Sequence, residues 1–190
     1  LVESIFLREG KNIAAIIIEP LPANYGLLVQ RTEFLKFLSD ICKKYGALLI
    51  FDEVISGFRV GLTGMAGITG IKPDLVTYGK IMGGGFPVGC YGGRADLMDL
   101  VAPLGTVYQA GTLSGNPVAM SAGIAQLTEC LKPNFYQELE AKTQTLVKGL
   151  SEIKKDNFKV FSIGSIFWLA FTEKKFIKTA EEIDGESMSY

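Results

Sequence analysis

The chain has 190 residues, a formal net charge of -1 and 48% apolar residues, so it can bury a sizeable core. No basic block accompanies this near-neutral charge, which argues against nucleic-acid binding, and no apolar run is long enough to cross a bilayer. The chain contains no histidine, which excludes Ser-His-Asp and Cys-His catalysis and most zinc sites within it. Proton transfer here would use Lys, Asp, Glu, Tyr or Cys.

The cysteines and the first residues indicate the cellular context. Cys42, Cys90 and Cys130 are odd in number and include no CxxC pair, so we expect neither a disulfide framework nor a zinc-thiolate site. This pattern and the lack of a signal peptide at the start favour a cytoplasmic location. Because the chain begins with Leu1 and its first ten residues resemble the end of a helix, we expect it to be part of a longer protein.

The first half of the chain predicts a strand, a helix and a second strand. The apolar run 14–18, which ends before Glu19, is typical of a parallel strand that is buried on both faces. Apolar residues over Thr32–Tyr45 follow one face of a helix, and Gly46 stands at the position of a helix C-cap. The run 47–51 is the next buried strand, so this order predicts a parallel crossover.

The second half predicts two further strands, three helices and a C-terminal β segment. Leu75–Tyr78 is a short strand, and residues 87–91 can form an antiparallel strand at an edge of the sheet because they include a proline. A short helix is predicted over 94–100, a second one from Pro117 to about residue 131 with Asn116 as N-cap, and a third opened by Pro133. Residues 158–171 are rich in β-formers and indicate one or two strands.

Three polar side chains follow three consecutive predicted strands. Glu19, Asp52 and Lys80 all come at carboxyl ends of strands, where open α/β sheets bind their ligands. An amine and a carboxylate at such an edge suggest Schiff-base chemistry with a pyridine cofactor. The alternative is that they are unrelated turn residues or, for Lys80, a solvated surface group. Glu53 points away from Asp52 along the strand, so we expect it to be structural.

Other motifs that contain a lysine or glycines fit this sequence poorly. A P-loop requires Ser or Thr after the lysine, where this chain has Ile81, and a GxGxxG motif fails at Val88. A barrel-type aldolase also places a Schiff-base lysine at a strand end. It gives no reason for Asp52 or for the glycine-rich run after Lys80.

Three motifs together resemble the class III aminotransferases of PLP fold type I. They are Phe-Asp-Glu-Val at 51–54, the segment 78–89 with its three consecutive glycines, and Gly-Thr-Leu-Ser-Gly-Asn-Pro at 111–117. The resemblance extends over about residues 13–171. It implies an α/β fold, namely part of the three-layer αβα large domain, followed by the start of a smaller α+β C-terminal domain. We expect residues 1–130 to belong to the PLP-binding domain and residues 131–190 to the linking helix and the truncated second domain.

The resemblance also implies roles for two residues at the strand ends. Lys80 matches the lysine that forms a Schiff base with pyridoxal 5'-phosphate. Asp52 matches the aspartate that pairs with the pyridinium nitrogen and keeps it protonated, so that the ring accepts negative charge. The alternative for Asp52 is a capping or turn aspartate.

Four more residues match cofactor-binding positions of the family. Val54 matches the residue on one ring face, although an ordinary core valine would look the same. Asn24 matches an asparagine near the ring hydroxyl, and a plain loop asparagine is its alternative. Gly111 and Thr112 match the segment that reaches the phosphate of the neighbouring subunit, which implies a homodimer with a shared active site; a turn residue is the alternative for Thr112.

The implied activity is PLP-dependent transfer of an amino group to a small-molecule substrate, with pyridoxamine phosphate as the second form of the cofactor. The transfer is expected within one substrate, as in an aminomutase, or else from a separate donor, as in an ω-aminotransferase. A non-catalytic α/β module for binding or oligomerisation is the alternative outside enzymes. The family's phosphate-binding cup and ring-stacking residue are not found in this chain.

Overall fold

A four-stranded sheet forms the centre of the computed structural model, which describes residues 1–153 and 157–185. The strands follow the order β1-β2-β3-β4 and are Ala15–Ile18, Leu48–Asp52, Leu75–Tyr78 and Cys90–Gly93. β1, β2 and β3 are parallel, and β4 is antiparallel to β3 at the edge. The predicted parallel sheet and its antiparallel edge strand are therefore confirmed. β4 begins later than predicted because β3 ends at Tyr78, which pairs with Cys90, so residues 87–89 have no residue of β3 to pair with.

The described residues form six α-helices: α1 Val2–Glu9, α2 Thr32–Tyr45, α3 Gly64–Thr69, α4 Ala95–Met98, α5 Pro117–Cys130 and α6 Phe135–Ser151. α2 has the predicted bounds. It ends at Gly46, whose φ of 75° is left-handed and whose amide donates to the Cys42 carbonyl. The sequence did not predict α3, which has only six residues. Among the described residues, no helix is long and apolar enough to cross a membrane.

The two long C-terminal helices start differently from one another. Asn116 caps α5 by accepting the Ala119 amide at 2.9 Å, as the sequence predicts. The prediction that Pro133 opens α6 is wrong. Asn134 adopts a left-handed conformation with φ 62°, so helical geometry begins only at Phe135. A left-handed residue is incompatible with a helix interior, which leaves the proline outside.

Residues 158–171 form two strands, β5 (Phe158–Ile163) and β6 (Ile166–Phe171), which pair as an antiparallel hairpin. The hairpin covers a small core whose buried members are Leu21, Leu27 and Met65. Trp168 packs against this core. The hairpin therefore rests on the loops that follow β1 and β2, next to the carboxyl edge of the sheet.

The main core lies between α2 and one face of the central sheet. Alternate residues of β2 are buried there, with Leu49 and Phe51 almost completely inaccessible. Alternation along a strand then directs Ile50 and Asp52 to the opposite face. Asp52, at the end of β2, lies on this second face. One face of the sheet is therefore packed against α2, and the opposite face, here called the functional face, carries Asp52.

Candidate active site

The structure brings Glu19, Asp52 and Lys80 together at the carboxyl edge of the sheet. They follow or end β1, β2 and β3, which are adjacent and parallel. The pKa of Glu19 is raised, first because the carboxyl is partly desolvated and second because the Asp52 carboxylate is nearby; the Lys80 ammonium acts in the opposite direction. Glu19 is therefore electrostatically coupled to both predicted site residues.

The raised pKa of Glu19 predicts a pH dependence of folding. Because the folded state holds the Glu19 proton more tightly than the unfolded chain, this stabilisation is complete below the ordinary pKa of 4.5 and is lost as pH rises through the folded value. We expect Glu19→Gln to flatten the fall in unfolding free energy with rising pH, measured by urea titrations between about pH 4 and 7. Glu140→Gln, at an exposed helix position, is the control and should retain the wild-type slope. Equal slopes in all three proteins would contradict a raised pKa of Glu19 in the folded state.

The Asp52 carboxylate is held by its own turn. Its Oδ1 accepts the backbone amide of Val54 at 3.0 Å, as aspartates do in Asx turns. The sequence left open that Asp52 is a turn aspartate, and the structure shows that its side chain does stabilise its own turn. In the described part of the chain Oδ2 accepts no hydrogen bond, so the turn fixes the orientation of the carboxylate and leaves one oxygen for another donor.

Thr77 is a neighbour of Asp52 that sequence reasoning missed. It is paired in register with Asp52 on the adjacent strand, so the two side chains share the functional face. Its Oγ1 is buried and lacks a hydrogen-bond partner, which is true of no other side-chain N or O among the described residues. Such an unmade bond costs about 1–3 kcal/mol. The sequence feature that could have indicated Thr77 is its hydroxyl group, which stands within the apolar run that forms β3.

Lys80 stands at a strained backbone position. Its φ is 49°, in the left-handed region that lysine rarely adopts, and it begins a 3-10 turn over Lys80–Gly83. The strain amounts to about 1–2 kcal/mol. The side chain is exposed within this chain. Strained residues cluster at functional sites, so this backbone geometry supports a functional assignment for Lys80.

Val54 lies against the residue that precedes the lysine. Gly79 is buried, and a Cβ built on it would lie 3.3 Å from Cγ1 of Val54. The loop after β2 and the turn after β3 therefore pack tightly, and Val54 is placed beside the backbone that carries Lys80.

The glycine run after Lys80 allows close packing of this turn on α5. A Cβ on Gly84, whose φ is 58°, would collide with the Ala122 carbonyl, and a Cβ on Gly123 would collide with the Met82 carbonyl. Backbone of the turn thus touches backbone of α5. The glycines position Lys80 through packing.

Gly84→Ala should lower the free energy of unfolding by about 2–4 kcal/mol, because alanine adds both a left-handed strain and a clash with helix backbone. Urea unfolding followed by circular dichroism measures the change. Gly89→Ala is the matched control, since a Cβ there meets open space at an unstrained φ and should change stability by less than about 1 kcal/mol. Equal stabilities of the two variants would contradict the packing role.

Asn24, Gly111 and Thr112 are exposed. Asn24 lies in the loop after β1. Gly111 belongs to a turn before α5 in which the Ser114 amide donates to its carbonyl. Gly111 lines an open groove of about 530 Å³ together with Leu113, Ser114, Met82 and residues 87–91. In the described ranges no hydrogen bond or ion pair joins these three residues to Lys80 or Asp52.

Glu53 anchors the loop between β2 and α3. Its side chain is completely buried and accepts hydrogen bonds from Ser56 Oγ at 3.0 Å, from the Met65 amide at 2.7 Å and from the Ala66 amide at 2.9 Å. The expectation that Glu53 is structural is confirmed. This loop begins directly after Asp52, so Glu53 also fixes the surroundings of the site.

The chain belongs to the class III aminotransferases. The family model described as aminotransferase class-III matches residues 1–180. The fold agrees: the chain superposes on a β-phenylalanine aminotransferase from Variovorax paradoxus with a TM-score of 0.86 at 31% identity, covering 97% of this chain and 43% of the other. The predicted fold class, part of a PLP fold type I large domain, is therefore confirmed.

Curated relatives narrow the similarity further. A glutamate-1-semialdehyde 2,1-aminomutase from Leptospira biflexa is 56% identical over 99% of this chain and 45% of the relative. Another from Bdellovibrio bacteriovorus is 58% identical over 87% of this chain and 39% of the relative. The chain thus spans less than half the length of these relatives. A solved aminomutase from Pseudomonas aeruginosa, in complex with PMP, shares the fold with a TM-score of 0.78 at 24% identity over 95% of this chain and 42% of that one.

Proposed function

We propose that the protein carrying this chain converts glutamate-1-semialdehyde to 5-aminolevulinate, a precursor of tetrapyrroles, with pyridoxal phosphate as cofactor. The observation that carries the proposal is the 56% identity to an aminomutase over nearly the whole chain. The segment 101–117 and the run from the glycines to residue 93 are the stretches that most resemble that enzyme. The substrate already contains its amino group, so the reaction needs no second amino acid.

The residues at the carboxyl edge fit the cofactor chemically. Lys80 has an amine that would bind the aldehyde group of pyridoxal phosphate. Oδ1 of Asp52 accepts the Val54 amide, so Oδ2 would be available to face the ring nitrogen. By the resemblance to the family, Val54 would line one ring face and Asn24 would approach the ring hydroxyl. The buried, unpaired hydroxyl of Thr77 beside Asp52 also indicates a polar site that is completed by further groups. When bound, pyridoxal phosphate supplies an electron-withdrawing ring that stabilises negative charge on a substrate carbon.

Each residue then has a defined task in the reaction. Lys80 binds the cofactor and, once released, moves a proton between the substrate carbon and the cofactor carbon through its Nζ. Asp52 stabilises the proton on the ring nitrogen by its negative charge. The substrate carries its amino group on one carbon and the product carries one on the neighbouring carbon; the bound cofactor would exchange amino groups with both positions, so no external oxidant or reductant is required.

We also propose a homodimer in which Gly111 and Thr112 reach the phosphate site of the partner subunit. Both are exposed here, as a role toward another chain requires. They lie in a region of exposed large apolar residues that comprises Leu100, Leu104, Val107, Tyr108, Leu113, Val118 and Ile124. Exposed apolar groups at this density are typical of an interface.

Light scattering should give twice the chain mass for the full-length protein, and Ile124→Glu should reduce the measured mass to that of the monomer. A monomeric wild type would contradict the dimer.

We further propose that a domain boundary lies near residue 130 and that the protein is cytoplasmic. Residues 131–190 would contain the linking helix and the start of the second domain; α6 packs on the β5-β6 hairpin, which supports treating them as one unit. Cys42, Cys90 and Cys130 are all free thiols, which suits a reducing compartment.

The assay that tests the function uses full-length protein, glutamate-1-semialdehyde and no added amino donor. An aminomutase should form 5-aminolevulinate at a rate that added amino acids do not raise. An ω-aminotransferase is the second candidate, because an ω-transaminase from Sphaerobacter thermophilus matches this chain with a TM-score of 0.86 at 32% identity. Product formation only after addition of a separate amino donor would contradict the mutase and favour that candidate.

A further inference from the structure

The hydroxyl of Thr77 has no hydrogen-bond partner within residues 1–153 and 157–185. It lies on β3 in register with Asp52 on β2, and adjacent strands are about 4.8 Å apart, so both side chains rise from the same face as neighbours. Its Oγ1 is buried without a partner, whereas Oδ2 of Asp52 accepts no hydrogen bond in the described part of the chain. An unused donor therefore lies beside an unused acceptor.

The other neighbour of Thr77 offers no comparable acceptor. On the β4 side it is paired with Tyr91, whose side chain is an aromatic ring with a single terminal hydroxyl. A carboxylate is the stronger acceptor, since hydrogen bonds to charged groups are shorter and stronger than those between neutral groups. Rotation about the Cα–Cβ bond of Thr77 can redirect its hydroxyl while its methyl group stays on the strand surface.

We propose that Thr77 is a positioning residue that acts through Asp52: its hydroxyl donates to the carboxylate and holds it oriented toward the ring nitrogen of the bound cofactor. This inference rests on the proposed function, because it gives Asp52 a ring to face. The hydroxyl of Thr77 would then cost stability where it is unpaired and orient Asp52 when the cofactor is bound. Functional sites retain such groups at the expense of stability.

The test is a double-mutant cycle on cofactor affinity in the full-length protein, with Thr77→Val, Asp52→Asn and the double variant. Valine has nearly the shape of threonine and suits a strand, so it removes little more than the hydroxyl. We expect Thr77→Val to raise the dissociation constant of pyridoxal phosphate, measured by equilibrium dialysis, about tenfold beside Asp52 and less than about twofold beside Asn. Thr77→Ser, which keeps the hydroxyl, should bind like the wild type.

Thermal unfolding of the cofactor-free proteins separates positioning from a structural role. Because the hydroxyl is unpaired, Thr77→Val should unfold at a temperature no lower than the wild type. A marked fall in this temperature, an equal loss of affinity in both backgrounds, or no loss at all would overturn the role of Thr77. If the wild type itself failed to bind pyridoxal phosphate, the proposed function would be overturned together with this inference.

Discussion

Lys80→Ala is expected to abolish turnover, lowering kcat by at least about 10³-fold. The substitution removes both the amine that binds the cofactor and the base that moves the proton, and loss of a single acid-base group typically costs about 10²–10⁴-fold. The measurement is a steady-state assay of 5-aminolevulinate formation by the full-length protein. Because the Lys80 side chain is exposed in this chain, the cofactor-free variant should unfold with the free energy of the cofactor-free wild type.

Lys72→Ala is the matched control for this experiment. Lys72 is an exposed lysine a few residues upstream, before β3, and it lies outside the proposed site. Its removal should leave kcat within about twofold of the wild type, because surface substitutions rarely have larger effects. If Lys80→Ala retained near wild-type turnover, or if both variants lost activity equally, the assignment of Lys80 would be wrong.

Glu53→Ala is expected to lower the free energy of unfolding by about 3–5 kcal/mol. The side chain is completely buried, and its loss leaves the amides of Met65 and Ala66 and the hydroxyl of Ser56 without their acceptor. Each unsatisfied buried donor costs about 1–3 kcal/mol, and total stabilities are only about 5–15 kcal/mol. Denaturant titration of the purified protein measures the change.

Ser56→Ala serves as the control that removes one donor and leaves the carboxylate bonded to both amides. It should cost only about 1 kcal/mol, since Glu53 keeps two of its three hydrogen bonds. A Glu53→Ala protein as stable as the Ser56→Ala protein would show that the carboxylate does not anchor the loop.

The sequence predicted helices and strands correctly where the apolar pattern was long or where a capping residue was present. α2 has a continuous apolar face over fourteen residues and a glycine at its end, and both bounds were predicted. α3 has only six residues and begins at a glycine, so no periodicity could indicate it. Asn134 was missed because a left-handed backbone depends on how the chain enters α6, and a nearby proline gave a competing start signal.

The sequence also predicted part of the candidate site, because two of its residues follow recognisable strands. Lys80 and Asp52 end apolar runs, and parallel strands place such residues at one edge. Thr77 was missed because pairing across strands depends on register, which the sequence does not specify. The partners of Glu53 lie twelve and thirteen residues downstream, and the strain at Lys80 is a property of the backbone alone.

The central claim is that Lys80 binds the cofactor, and covalent trapping tests it most directly. Full-length protein is incubated with pyridoxal phosphate, reduced with borohydride, digested and examined by peptide mass spectrometry. The account predicts that the mass of the reduced cofactor is found on Lys80, with no such label on Lys72 and none on the Lys80→Ala protein. Label on a different lysine would contradict the assignment of Lys80, and no label on the wild type would contradict it and favour a non-catalytic module.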